Sequence, residues 1–197
     1  MMKLIVYDAN KTNLLTETSF GGNPVKLVNT SFEWPICKYC QKEMQFQGKI
    51  KTDLGYELIF QCQSNPGMCE DWDANAGGNK AIIIDDSAVE FVFPNNSDVA
   101  LRTTEYGVNI VEQDCASYDV AYDNWDGGPR TLLGHLFGEP MWMQADETPN
   151  CDCCDKPMRF VAQLEEGPVY ETSMNFAGGT GFLFDCKEGK TAKFLWQ

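Results

Sequence analysis

The sequence predicts a mainly β to α+β fold, built as two internally duplicated β-rich halves that share a core. Three observations carry that expectation. Apolar residues alternate over short runs rich in β-branched and aromatic side chains, long 3.6-residue periods with capping signals are missing, and one cysteine-bearing motif occurs twice.

In chain order, the alternating runs place strands at Lys3 to Tyr7, Met44 to Ile50, Glu57 to Cys62, Ala81 to Ile84 and Val89 to Phe93. Further runs follow at Met158 to Leu164, Gly181 to Cys186 and Ala192 to Trp196. Asp85, Asp86 and Ser87, lying between two such runs, have the composition of a hairpin turn. Helix is expected to be minor. The apolar strand residues Trp34, Met44, Phe46, Met158, Phe160, Phe194 and Trp196 are the expected core.

The repeated motif is P-I-C-K-Y-C-Q-K-E-M-Q-F at Pro35 to Phe46, which returns as P-N-C-D-C-C-D-K-P-M-R-F at Pro149 to Phe160. The offset is a constant 114, so Cys37 answers Cys151 and Cys40 answers Cys154. L-I-F-Q-C ending at Cys62 is likewise answered by F-L-F-D-C ending at Cys186. The halves run over about 1–100 and about 101–197, within one globular unit of 1–197, a length that is ample for a single core.

Cysteines in these spacings suit a metal better than disulfides. Cys37 and Cys40 form a C-x-x-C knuckle, and Cys62 with Cys69 supplies a second pair, so four thiolates can complete a tetrahedral Zn²⁺ shell. A shell of four sulfurs leaves no position for water, and the ion is expected to hold structure. In the second half, Cys151, Cys154 and Cys186 match three of these ligands, but a counterpart of Cys69 is lacking. Cys153, His135, Cys115 or an acidic side chain are the candidates for the fourth place in this second zinc knuckle.

Charge and composition exclude several functions. A net charge of −14 repels a nucleic-acid backbone and an anionic membrane surface alike. Leu4 to Tyr7 is too short a run for a secretory signal, and no stretch is apolar enough to span a bilayer, which points to the cytoplasm. A single histidine removes most catalytic triads, and the glycine pairs do not form a phosphate-binding loop.

One stretch suggests a partner. From Thr103 to Pro129 there is no Lys or Arg, while Glu112, Asp114, Asp119, Asp123 and Asp126 accumulate around Trp125. Carboxylates steer the encounter with a basic protein and an aromatic anchor supplies affinity. The competing reading is a solvated connector between the repeats.

Scattered along the chain are S-F-G-G-N-P at Ser19 to Pro24, W-P at Trp34 and Pro35, L-L-G at Leu132 to Gly134, Gln144, M-R-F-V-A-Q at Met158 to Gln163, and F-L-W-Q at Phe194 to Gln197. In this order they resemble the YwqG-like family of uncharacterised bacterial proteins, and the layout is more distantly similar to the programmed-cell-death-protein-two family of dedicated chaperones. The resemblance implies a duplicated β-sheet fold with some helix and carries over no catalytic residue. The expected function is a non-enzymatic, zinc-stabilised protein-binding module (an adaptor, dedicated chaperone or immunity-type protein) for a basic protein partner. The alternative is a metal-dependent hydrolase or transferase using the second cysteine site.

Overall fold

Twelve β-strands and one six-residue helix make up the regular structure of the described residues, which in this computed structural model are all of 1–197 except 13, 66, 95–100, 103, 170–173 and 175. The first seven strands are β1 (Met2–Asp8), β2 (Ser19–Gly21), β3 (Val25–Leu27), β4 (Gln45–Thr52), β5 (Gly55–Gln61), β6 (Asn79–Ile84) and β7 (Val89–Phe91). After them come β8 (Glu105–Gln113), α1 (Tyr118–Asp123), β9 (Leu132–Leu136), β10 (Arg159–Leu164), β11 (Gly181–Cys186) and β12 (Thr191–Trp196). Among the described residues no helix is long and apolar enough to cross a membrane.

Ten strands form one antiparallel sheet in the order β12-β11-β10-β9-β1-β8-β2-β4-β5-β6, while β3 and β7 pair separately. The sheet curls until its two edges, β6 and β12, lie alongside each other and nearly close it. Alternation explains why. On β11, Leu183 and Asp185 point one way and Phe182, Phe184 and Cys186 the other, and Leu183 joins Ile5, Phe20, Ile50, Ile59, Val108, Leu133, Val161 and Phe194 in one buried cluster. That cluster draws on strands from both ends of the chain.

The outer face is covered in patches. The β3–β7 ribbon and Trp34 close over β5, with the Trp34 ring 5.6 Å from that of Phe60. Trp142 lies over β11, 4.6 Å from Phe182. Helix α1 buries Tyr118 and Ala121 against Leu4 and Leu132.

Each of the eight expected strands exists: Gly181–Cys186 has the expected ends, and the other seven have one or both ends shifted by one or two residues. The turn at Asp85 to Ser87 does not make a hairpin, however: β6 pairs with β5, and β7 pairs with β3. Val89 is drawn into the cluster beneath the ribbon, which outweighs pairing with its sequence neighbour. Four strands were not foreseen, namely β2, β3, β8 and β9. Two of these are only three residues long, and β8 lies inside the stretch read for its acidity, although Tyr106 and Val108 alternate into the core.

Candidate metal centres

Both cysteine clusters are built on the same local frame. In the first, Ile36 bridges Glu43, the Cys37 amide donates to the Lys42 carbonyl at 2.8 Å, and the Gln41 amide donates to the Cys37 carbonyl at 3.0 Å. The Met44 amide then closes on the Pro35 carbonyl at 2.8 Å, and Gln41 takes a left-handed φ of 58° to complete the reversal. In the second, Asn150 bridges Pro157, and the Cys151, Asp155 and Met158 amides donate to Lys156, Cys151 and Pro149 at 2.9, 2.8 and 2.9 Å. Asp155 takes the matching φ of 56°. The strands that follow share a bulge as well, between Phe46 and Gly48 and between Phe160 and Ala162.

The remaining cysteines arrive differently. Cys62 directly follows β5 and is fixed by its amide bonding to the Gly78 carbonyl at 2.8 Å. Cys69 sits in the β5–β6 connection, where a Cβ on Gly78 would lie 2.0 Å from the Cys69 carbonyl oxygen, so only glycine permits the approach. That connection is pinned by buried polar groups: Gln61 Nε2 donates to Asp71 at 2.7 Å, and Asn79 Nδ2 donates to the Asp71 and Asp73 carbonyls at 2.9 and 3.0 Å. In the second cluster Cys186 ends β11, its sulfur accepting from the Gly189 amide at 3.5 Å, and the place of Cys69 is taken by Cys153 from within the knuckle itself.

Four sulfurs lie within 4.8 Å of one another in each cluster: Cys37, Cys40, Cys62 and Cys69 in the first, and Cys151, Cys153, Cys154 and Cys186 in the second. A tetrahedral ion with zinc–sulfur bonds of about 2.3 Å requires sulfurs roughly 3.8 Å apart. The 3.6 Å between Cys40 and Cys62 and the 3.8 Å between Cys154 and Cys186 fit that edge. The 3.1 Å between Cys151 and Cys153 is too short, and this pair must open to share an ion. Both sets are thus compatible with a metal. Cys37, Cys62, Cys69, Cys151 and Cys186 are buried, Cys40 and Cys154 half-buried, and Cys153 exposed.

No protein-family model matches this chain, and neither does any curated protein. What can be said of the sites therefore rests on their chemistry.

The thiols are unevenly tuned. Burial raises Cys62, and it pushes Cys69 up to about 11. Burial acts against ionisation of Cys37 too, but the amides of Cys40 and Tyr39 stabilise the thiolate and hold the group below its ordinary value. The Thr191 hydroxyl, 3.5 Å from the Cys151 sulfur, and then Cys153 lower Cys151 to about 6.

The other candidates for the fourth place lie elsewhere. His135 is buried between the rings of Tyr118 and Phe160, at 4.6 and 5.3 Å, and Cys115 packs against Met2. Of the acidic stretch, Glu112, Asp114, Asp119, Asp123 and Asp126 are exposed, the first at the end of β8 and two on the outer side of α1. Trp125 is half-buried, its Nε1 donating to Thr131 Oγ1 at 2.9 Å, while Tyr122 is 52% exposed beside it. Thr103, at the start of the stretch, lies outside the described residues.

Sequence reasoning passed over one buried polar layer beside the second cluster. Arg159 Nε donates to the fully buried Asp185 at 2.8 Å, and Arg159 Nη2 reaches both Asp185 and, at 2.8 Å, Asp53 at the β4–β5 turn. Glu57 is buried next to this group; burial, and then the Asp185 carboxylate, raise it to about 8. The sequence signals were that M-R-F stands where the first motif has M-Q-F, and F-L-F-D-C where it has L-I-F-Q-C.

Proposed function

We propose that this chain is a cytoplasmic, zinc-stabilised protein-binding module that catalyses nothing: two Zn²⁺ ions hold its knuckles to its strand ends, and its acidic stretch docks a basic protein. The observation that carries the reading is Cys153. With it the second cluster has four sulfurs, as the first does, and a four-sulfur shell offers no water position for Lewis-acid chemistry. Thiolate sulfur in sets of four favours zinc over harder ions.

The docking face is supported by exposure. Five carboxylates on β8, α1 and the loops beside them point to solvent, and none pairs with a cation among the described residues. Tyr122 and Val120, 52% and 42% exposed on α1, supply apolar surface among them. The adaptor, dedicated-chaperone and immunity-type roles share this requirement, and the YwqG-like resemblance belongs to the same proposal. Descent from a duplicated unit is part of it too, supported by a bridge, three backbone hydrogen bonds, a left-handed residue and a bulge that recur at the offset of 114.

Two measurements test the reading. Metal analysis of the purified chain should return two zinc ions per chain, and cobalt substitution should give the spectrum of four-sulfur coordination at both. A basic protein should co-purify in salt-sensitive fashion and be lost on charge reversal at Asp119, Asp123 and Asp126; unchanged recovery and unchanged salt dependence would remove the docking face. A second reading is favoured by the short Cys151–Cys153 distance. If Cys153 stays off the metal, the open position admits water, and hydrolase or transferase chemistry follows. A three-sulfur, one-oxygen cobalt spectrum would support it.

A further inference from the structure

We infer that Cys151 and Cys153 form a thiol-oxidation site, at which a peroxide makes a disulfide that dismantles the second metal centre and leaves the first intact. The inference extends the zinc reading above, but the oxidation itself depends only on where the sulfurs lie.

Three features of the second cluster are missing from the first. Its C-x-C spacing sets two sulfurs 3.1 Å apart, between a disulfide bond at about 2.0 Å and a tetrahedral zinc edge at roughly 3.8 Å. One of the two, Cys153, is exposed, whereas its neighbour Cys151 is buried. Beside Cys153 stands Gly189, where a Cβ would lie 2.4 Å from the sulfur, so only glycine leaves room for the sulfur at this place. In the first cluster three of the four cysteines are buried, and Cys69 comes from a connection fastened by Asp71 and Asn79.

The step balances. The exposed Cys153, a thiolate when it is bound to the metal, attacks hydrogen peroxide, breaking its O–O bond, and becomes a sulfenic acid while hydroxide leaves and takes a proton. The Cys151 thiolate then attacks the Cys153 sulfur, an S–S bond forms, and a second hydroxide leaves and is protonated. Two thiolates lose two electrons, one peroxide gains them with two protons, and two waters result. The ion then keeps only the Cys154 and Cys186 thiolates, too few for tight binding, and departs.

The test uses the full chain loaded with zinc, its metal content measured first, and hydrogen peroxide titrated in the presence of a chromophoric zinc chelator. Differential alkylation and mass spectrometry locate the oxidised thiols. The expected result is fast release of one of two zinc ions, protection of Cys151 and Cys153 but not Cys154 or Cys186 from alkylation, and recovery with a thiol reductant plus zinc. Cys153→Ser should slow release at least tenfold and abolish the Cys151 disulfide. A Cys154–Cys186 disulfide, equal release from both centres, or Cys153 remaining a free thiol at excess peroxide would each overturn the proposal. Should the starting protein hold one zinc ion, the second metal centre fails on that count alone, and the alkylation pattern still decides the oxidation site.

Discussion

The two cysteine clusters share a knuckle and differ in where the fourth sulfur comes from. Cys69 belongs to a connection of its own, held by Gln61, Asp71 and Asn79, so the first cluster ties together three separate stretches of chain. Cys153 belongs to the knuckle, so the second cluster ties only two. A ligand brought from a distance crosslinks the fold, whereas a ligand two residues away mainly completes a charge count. A metal held by the first cluster should therefore contribute more to stability, and one held by the second should be easier to exchange.

The comparison can be broken most directly at Cys62. Cys62→Ser should remove one zinc ion and lower stability by at least ~4 kcal/mol, because structural zinc binding is largely folding free energy. Thermal melting should shift downward by about 8–16 °C, whereas Cys153→Ser should shift it far less. Equal shifts would erase the distinction.

A second contrast lies one residue before each strand-end cysteine. Gln45 faces Gln61 in the first half, and Arg159 faces Asp185 in the second. Arg159→Gln leaves a fully buried Asp185 carboxylate without its partner and should cost about 3–5 kcal/mol. Replacing both with Gln, as in the first half, should recover most of that loss in a denaturant titration. Failure to recover would mean that the Arg159–Asp53 contact, and not burial of Asp185, holds the layer together.

Much of this was legible in the sequence and some was not. The knuckles and the strands after them were readable because cysteine spacing and two-residue alternation are local signals. Cys153 could be named as a candidate but not chosen, since only the fold places His135 between two rings and Cys115 against Met2. The edge-to-edge approach of β6 and β12 and the partner of β7 depend on contacts distant in sequence, and the Asp85 to Ser87 turn accordingly misled. Strand β8 alternates into the core only at Tyr106 and Val108, and its exposed second half, with Glu112, has the composition of a solvated connector.

A smaller effect should come from Glu57. Its carboxyl keeps a proton in the fold from its ordinary 4.5 up to about 8, a range in which the unfolded chain has released it. The native state then binds more protons, so stability should fall as pH rises through that window. Glu57→Gln should flatten this part of the profile in melts between pH 5 and about 8; an unchanged slope would place its origin elsewhere. The smallest effect is reserved for Gly189→Ala, whose methyl presses on Cys153. It should weaken the second metal about tenfold in a chelator competition while leaving the first unchanged.

The sheet order has a kinetic consequence. Strand β1 lies between β8 and β9, so Leu4 pairs with Val111 on one side and His135 on the other. As the chain leaves the ribosome, β1 has neither neighbour until Glu105–Gln113 and Leu132–Leu136 have been made. Loops of that length slow closure, and the waiting edge is open to foreign strands. Cys37, Cys40, Cys62 and Cys69 have all emerged well before then, so a zinc ion, if bound there as proposed, would fix the β4–β5 hairpin while the rest of the sheet is still assembling.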